Sequence, residues 1–384
     1  MERNKKFRAW HWISIGLLVV CLALALIAHR SDRRRGRQIH LLTGPLTGVL
    51  AGARLEEFTS LEPIDAHTHI SEATPAFSAM LDRLHMQVLD ILYVDDTDPY
   101  RALMEPQKGD AQKFAASSGG HAQLCTTFDP FKFKNPNFSK EAIDGLDQDF
   151  AHGAVAVKVW KNIGMEIRKP SGEYVMPDDA VFEPIYKDIA AHHKTLITHS
   201  AAVDAAWEAQ GARAAESKYF SEKPQWDMSR PGVPGKTVIL QARDHLLAMN
   251  PELRVVGAHF GSMAEHLDDL GARLDLYPNF AVDTAARVRQ LVVQPREQVR
   301  AFILKYQDRI LYGTDLRFEP ATTDQSSQSW EKEYALDWRY FATDDTFEYQ
   351  GHQVEGLNLP RPVLKKLYHD NAVRWIPGID DKQH

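Results

Sequence analysis

Cysteine is nearly absent: the 384 residues include two, Cys21 inside an apolar stretch and Cys125 far down the chain. No disulfide framework can brace the fold, so the core must hold by burial. The sequence also lacks internal repeats, low-complexity tracts and a second apolar run of membrane length. With the composition below, these absences leave neither wholesale disorder nor a multispanning membrane protein as a reading. Basic charge is scarce outside the amino terminus. Nine of 45 Lys/Arg and two of 52 Asp/Glu fall in residues 1–37, leaving 36 against 50 and a net charge of −14 on the rest. An acidic body repels phosphate backbones, which argues against nucleic acid as a partner. What is present, 44% hydrophobic and 25% charged residues, is the make-up of an ordinary globular protein.

The one long apolar run, WHWISIGLLVVCLALALIA, extends from Trp10 to Ala28. It is close to the ~20 residues a helix needs to cross a bilayer and longer than the ~7–15 of a signal peptide core. Residues 1–29 therefore read as a membrane anchor, with the remaining chain outside the cytoplasm, in a periplasm-like compartment. Cleaved secretion is the alternative, since Ala23-Leu24-Ala25 has the form of a cleavage site. Residues 30–60, basic and then marked by Gly44, Pro45, Gly48 and Gly52, read as linker and lead-in. The globular domain is expected over 61–384.

From residue 63 short β-branched or apolar runs recur, each followed by a longer polar or amphipathic segment: 63–70, 86–94, 122–128, 154–160, 195–200, 254–260, 280–284 and 309–315. Strands alternating with helices predict parallel βαβ units. Among the helices, 178–193 is expected with Asp178 as cap, and 295–307 has apolar residues at helical spacing. Eight strands suit either a doubly wound sheet or a (β/α)8 barrel, and the polar residues decide for the barrel.

Side chains on a strand alternate faces, so Asp65, His67 and His69 are expected on one face, where both imidazoles can reach one ion. In the fourth run Ala154, Ala156, Lys158 and Trp160 share a face suited to a crowded interior, and Val155, Val157 and Val159 a face suited to helices. Lys158 inside a barrel must be paired or neutralised. The choices are an ion pair with Asp283 or Asp315, or addition of CO2 to the neutral amine to give a metal-ligating carbamate. His199 follows Thr195 and Ile197, His259 follows Val255 and Gly257, and Asp315 follows Leu311 and Gly313. A barrel gathers the carboxyl ends of its strands around one funnel, so these side chains are expected to converge. Nitrogen and oxygen ligands without thiolate suit Zn²⁺ first, with Mn²⁺, Fe²⁺ or Co²⁺ as alternatives.

The ordered set from Asp-Ala-His-Thr-His-Ile through Gly-Ala-His259-Phe-Gly-Ser and Tyr-Gly-Thr-Asp315 to Tyr368-His-Asp-Asn371-Ala372-Val-Arg374 resembles the amidohydrolase superfamily, in its amidohydrolase-2 branch, over roughly residues 60–376. The resemblance implies metal ligation by His67, His69, His199 and Asp315. It implies for His259 either a second-metal ligand or an acid/base or electrophilic role. Lys158 matches the carbamylated lysine of two-metal members, whereas this branch is generally mononuclear, so one or two ions are expected.

The reading that results is a metal-dependent hydrolase acting on an amide, ester or lactone-type bond of a small organic substrate, with Asp315 and His259 as catalytic groups. A non-oxidative decarboxylase is the alternative, and a non-catalytic ligand-binding barrel the second. Trp160, Lys161, Asp283, Arg287 and Arg317 lie near strand ends and are expected to contact substrate. Long segments at 201–250 and 316–360 carry Tyr219, Phe220, Trp226, Trp330, Trp338, Tyr340, Phe341 and His352, candidates for a lid. Self-association is left open.

Overall fold

The computed structural model describes residues 55–71, 74–209, 217–318 and 327–381. The apolar run Trp10–Ala28 lies outside them, and no helix among the described residues is long and apolar enough to cross a membrane. The strands are β1 (Ile64–Ile70), β2 (Gln87–Ile91), β3 (Ala122–Thr127), β4 (Ala154–Val159), β5 (Thr195–Thr198), β6 (Arg254–Gly257), β7 (Phe280–Asp283), β8 (Ile310–Leu311) and β9 (Leu316–Phe318). All pair in parallel, in the order β8-β7-β6-β5-β4-β3-β2-β1-β9. β8 and β9 are two pieces of one segment, yet they stand at opposite ends of that order, so the sheet closes on itself. Ala66 N donates to Tyr312 O at 3.0 Å and Asp315 N to His67 O at 2.8 Å across the seam. The result is an α/β barrel of the TIM type.

Helices return the chain between strands for reasons visible in the sequence. After β1, Thr74 caps the helix Pro75–Leu84 by accepting from Phe77 N, and Pro75 opens it. Phe77, Met80, Leu81 and Leu84 bury one stripe, and His85 ends the helix in the left-handed conformation. The expected helix 178–193 instead begins at Glu183, because Asp178 is drawn to His245 Nδ1 at 2.8 Å and does not cap. That expected over 295–307 occupies Arg296–Lys305.

The barrel interior is one cluster to which every strand from β1 to β8 contributes: Ala66, Ile91, Cys125, Ala156, Ile197, Val256, Ala281 and Leu311 among them. Ala372, Trp375, Ile376 and Ile379 join it from the carboxyl terminus and cover the amino-terminal mouth. Asn371, singled out by its motif, donates to Gln307 O and Ile310 O and pins the start of β8.

Two strands depart from simple alternation. β1 carries one extra residue against β2, with Asp65 opposite Val88 and Thr68 opposite Asp90. This bulge turns Asp65 away from His67 and His69, towards Thr314 Oγ1 at 2.6 Å and Tyr334 OH at 3.1 Å. In β6, Val256 and not Val255 joins the interior cluster. The strand stops at Gly257, and left-handed backbone at His259 and Phe260, both φ 58°, carries the histidine inward.

Candidate metal centre

The carboxyl ends of the strands enclose a cavity of about 360 Å³. His67, His69, Lys158, His199, His259 and Asp315 line it together, with Trp160, Lys161, Arg287 and Arg317 around them. Asp283 is not on its surface: it is buried behind His67. Gly313 makes the seam tight enough for this arrangement, since a Cβ there would stand 2.9 Å from His67 Cβ.

Three of the four imidazoles are tied back by one nitrogen. His67 Nδ1 lies 2.8 Å from Asp283 Oδ2, His69 Nδ1 2.6 Å from Ile91 O, and His259 Nδ1 2.9 Å from Ala285 O. A carbonyl only accepts, so the Nδ1 atoms of His69 and His259 carry the hydrogen, and a carboxylate demands the same of His67. Burial pushes His69 down to about 3 and holds His199 and His259 well below the usual imidazole range. Neutral rings donating through Nδ1 present bare Nε2 lone pairs to the cavity.

Those lone pairs face another acceptor. His69 Nε2 stands 3.1 Å and His67 Nε2 3.6 Å from Asp315 Oδ1. Burial alone would push the Asp315 carboxyl up; holding it down takes positive charge beside it, which the neutral rings lack and a bound cation would supply. Lone pairs at such distances repel unless a cation joins them. Ligand atoms of His67, His259 and Asp315 all lie within 4.8 Å of one another. His199 Nε2 is buried with no hydrogen-bond partner, its ring centroid 4.1 Å from that of His259. An orphaned nitrogen aimed into a ring of bare donors fits a divalent cation.

Lys158 Nζ is 3.2 Å from His67 Nε2, and burial lowers its pKa. It makes no ion pair with Asp283 or Asp315 among the described residues. Asp283, expected near substrate, instead orients ligands: one oxygen meets His67 Nδ1, and the other accepts from His259 N at 2.8 Å and Ala285 N at 3.1 Å.

The two long segments behave differently. Tyr219 and Trp226 reach the cavity. Trp330 packs on Phe77 at 4.9 Å and Trp338 on Phe58 at 5.4 Å, in the outer layer, and His352 sits exposed on a hairpin of Thr346–Tyr349 and His352–Glu355. Among the described residues Trp330 and Trp338 form no lid over the cavity, because their rings are buried against Phe77 and Phe58 in the layer around the barrel. Tyr93 was not anticipated. It stacks on His69 at 5.0 Å and Trp160 at 4.6 Å. The signal existed: Tyr93 is two residues beyond the interior Ile91.

Among solved structures the chain is similar to an uncharacterized TIM-barrel protein from Bordetella bronchiseptica, with 13% identity, 83% of this chain and 99% of that chain covered, and a TM-score of 0.48. It is similar to a probable 2-pyrone-4,6-dicarboxylic acid hydrolase from Acinetobacter baumannii, with 10% identity, coverage of 82% and 99%, and a TM-score of 0.48. It is also similar to a 2,6-dihydroxybenzoate decarboxylase from Rhizobium, with 14% identity, coverage of 81% and 98%, and a TM-score of 0.46. No curated protein matches the chain. A family model described as amidohydrolase matches residues 64–377. The chain, with its barrel and its floor of imidazoles and carboxylate, belongs to the metal-dependent amidohydrolase family.

Proposed function

We propose that the protein is a metal-dependent hydrolase acting on an amide, ester or lactone bond of a small organic substrate. The observation that carries this reading is Asp315. Its carboxyl is held ionised, its Oδ1 is 3.1 Å from His69 Nε2, and its side chain is 26% exposed to the cavity. The compact group His67, His259 and Asp315 would hold an ion, with His69, His199 and Lys158 available to complete its ligands or to hold a second. When bound, a divalent cation, with zinc the first candidate, would polarise a carbonyl and lower the pKa of water from 15.7 to roughly 7. Asp315 takes the proton of the attacking water and delivers it to the leaving group. Its free motion is limited by the left-handed backbone, φ 65°, and by the bond from its N–H to His67 O. His259 has its hydrogen on Nδ1, so its Nε2 is a ligand or a proton acceptor rather than a donor to an oxyanion.

Turnover of a panel of lactones, esters and amides by metal-loaded protein tests the reading. Asp315→Asn is expected to lower kcat about 10²–10⁴-fold with metal still bound, the usual worth of a general acid/base. Full turnover in that variant would remove Asp315 from the chemistry. A second reading, non-oxidative decarboxylation, is favoured by the cations Lys161, Arg287 and Arg317 on the cavity wall. CO2 release without hydrolysis would establish it instead.

A further inference from the structure

The floor of the cavity is rich in acceptors and poor in donors. His67, His69 and His259 keep their hydrogens on Nδ1 and turn bare Nε2 atoms inward, beside the carboxylate of Asp315. Lys158 Nζ is turned to His67 Nε2 at 3.2 Å, Lys161 Nζ to Tyr219 OH at 2.8 Å and Arg287 Nη1 to Ala286 O at 2.8 Å. Attack of water on a carbonyl places negative charge on the carbonyl oxygen, and donors fixed in advance around that oxygen supply a large part of catalysis. Tyr93 meets this need. It lies two residues past the end of β2, is 2% exposed and lines the cavity. Its ring is held by His69 at 5.0 Å, Trp160 at 4.6 Å, and the guanidiniums of Arg101 at 4.9 Å and Arg317 at 5.4 Å. Among the described residues its hydroxyl makes no hydrogen bond, yet it is not sealed from solvent, so it opens on the cavity that the ring lines. Burial, together with the carboxylates of Asp315 and Asp95, holds the phenol above its ordinary value against the pull of Arg317 and Arg101. It therefore keeps its hydrogen at neutral pH.

We propose that Tyr93 is a catalytic residue whose O–H donates a hydrogen bond to the carbonyl oxygen of the substrate, a bond that strengthens as that oxygen gains charge during attack by water. No proton is transferred in this step. The partners packed around the ring fix the hydroxyl before substrate arrives, so little reorganisation is left for the moment of reaction. Arg101, 2% exposed, is itself held by Gln107 Oε1 at 2.8 Å. A guanidinium over an aromatic ring attracts its electron density, which makes the phenol a stronger donor without taking its hydrogen. The division of labour follows from the tautomers. His259 has its hydrogen committed to Ala285 O, and Asp315 receives the proton of water, so the oxyanion would otherwise face lone pairs on the protein side. This inference rests on the hydrolytic reading of the cavity, because the oxyanion forms where a carbonyl is attacked.

The test is Tyr93→Phe in the full, zinc-loaded chain, a change that keeps the ring and removes one oxygen. With whichever ester, lactone or amide of the panel is turned over, kcat is expected to fall about 10²–10³-fold while KM stays within about threefold. The pH profile is expected to keep its shape, because the phenol does not titrate across it. Methylphosphonate, a small tetrahedral oxyanion, is expected to bind the parent protein in titration calorimetry and to bind the variant about tenfold more weakly or worse. Zn²⁺ affinity, read by chelator competition, and the melting temperature are expected to stay those of the parent. Unchanged kcat together with unchanged methylphosphonate affinity overturns the proposal. So does a loss of activity that comes with weaker Zn²⁺ binding or a lower melting temperature, since the hydroxyl would then be supporting His69 or the fold. A parent chain that cleaves nothing in the panel and binds no methylphosphonate overturns both readings. Methylphosphonate lost on substitution in a chain that cleaves nothing sinks the hydrolase reading alone, and turnover indifferent to Tyr93→Phe sinks this one alone.

Discussion

Replacing Asp283 by asparagine keeps the shape of the side chain and changes one atom. In the native protein Oδ1 accepts from two backbone N–H groups, those of His259 at 2.8 Å and Ala285 at 3.1 Å, while Oδ2 meets His67 Nδ1 at 2.8 Å. In the Asp283→Asn variant the two backbone donors fix the amide oxygen in the first position, so the NH2 group faces His67 Nδ1. Two donors then oppose each other. His67 escapes by moving its hydrogen to Nε2, the nitrogen that faces Asp315 and the cavity. The ring can no longer offer a lone pair there. A hydrogen bond to a charged group is worth about 1.5–3 kcal/mol, and loss of an outer partner of a metal-binding histidine costs roughly 10–100-fold in affinity. The two figures agree, since tenfold is about 1.4 kcal/mol. The expected result is a Zn²⁺ affinity about 10–100-fold weaker in competition with a chromogenic chelator, with the backbone donors still satisfied and the fold retained. Affinity within twofold of the parent protein would refute the assignment of Asp283 as the residue that orients His67.

Chelation should destabilise the fold, because the ligands come from strands far apart in sequence. For metal at 1,000 times Kd the contribution is about 4 kcal/mol, and at roughly 2–4 °C per kcal/mol the melting temperature should fall by about 8–16 °C. An unchanged melting curve after proven metal loss would contradict ligation by the barrel floor. Asp90 is buried, with Oδ1 accepting from Ile70 N and Oδ2 unpartnered, and burial pushes its carboxyl up to about 7. A raised folded pKa contributes stability that is full below about pH 4 and lost as pH rises to about 7. Asp90→Asn should flatten the urea-unfolding free energy across that window and gain stability of order 4 kcal/mol at pH 8, and an unaltered pH profile would count against burial as the cause. At Gly257 a Cβ would meet the Phe280 ring at 2.7 Å and Gly261 Cα at 2.9 Å. Gly257→Ala should therefore cost about 1–3 kcal/mol in denaturant unfolding, whereas a neutral effect would show that β6 can shift outward.

Much of the site was legible because a parallel barrel converts sequence position into spatial position: a polar residue at the end of an apolar strand arrives at the rim. That logic brought His67, His69, Lys158, His199, His259 and Asp315 to one cavity. It failed where a strand is not regular. One extra residue in β1 reverses Asp65, and no periodicity of the strand's own reveals a bulge that depends on the register of its neighbour. The inward turn of His259 depends on left-handed backbone at a residue with a full side chain, which the Gly-Ala-His-Phe-Gly sequence does not announce. Asp283 shows a third kind of failure. Its strand-end position was read correctly, but whether such a residue faces the cavity or supports a neighbour from behind is a matter of depth, set by where His67 stands. The aromatic residues of 327–341 were indistinguishable in sequence from those around Lys161, since packing layers and binding walls use the same side chains.

The split between β8 and β9 has a consequence for how activity is acquired. Asp315 lies in the four residues between the two pieces, and its backbone bond to His67 exists only when the first and last strands have met. While that joint is open the floor lacks its carboxylate. Ligand affinity should consequently appear late, when the chain completes its circle, because a chain that stops short of residue 315 lacks both the Asp315 carboxylate and the carboxyl-terminal residues Ala372, Trp375, Ile376 and Ile379 that complete the interior.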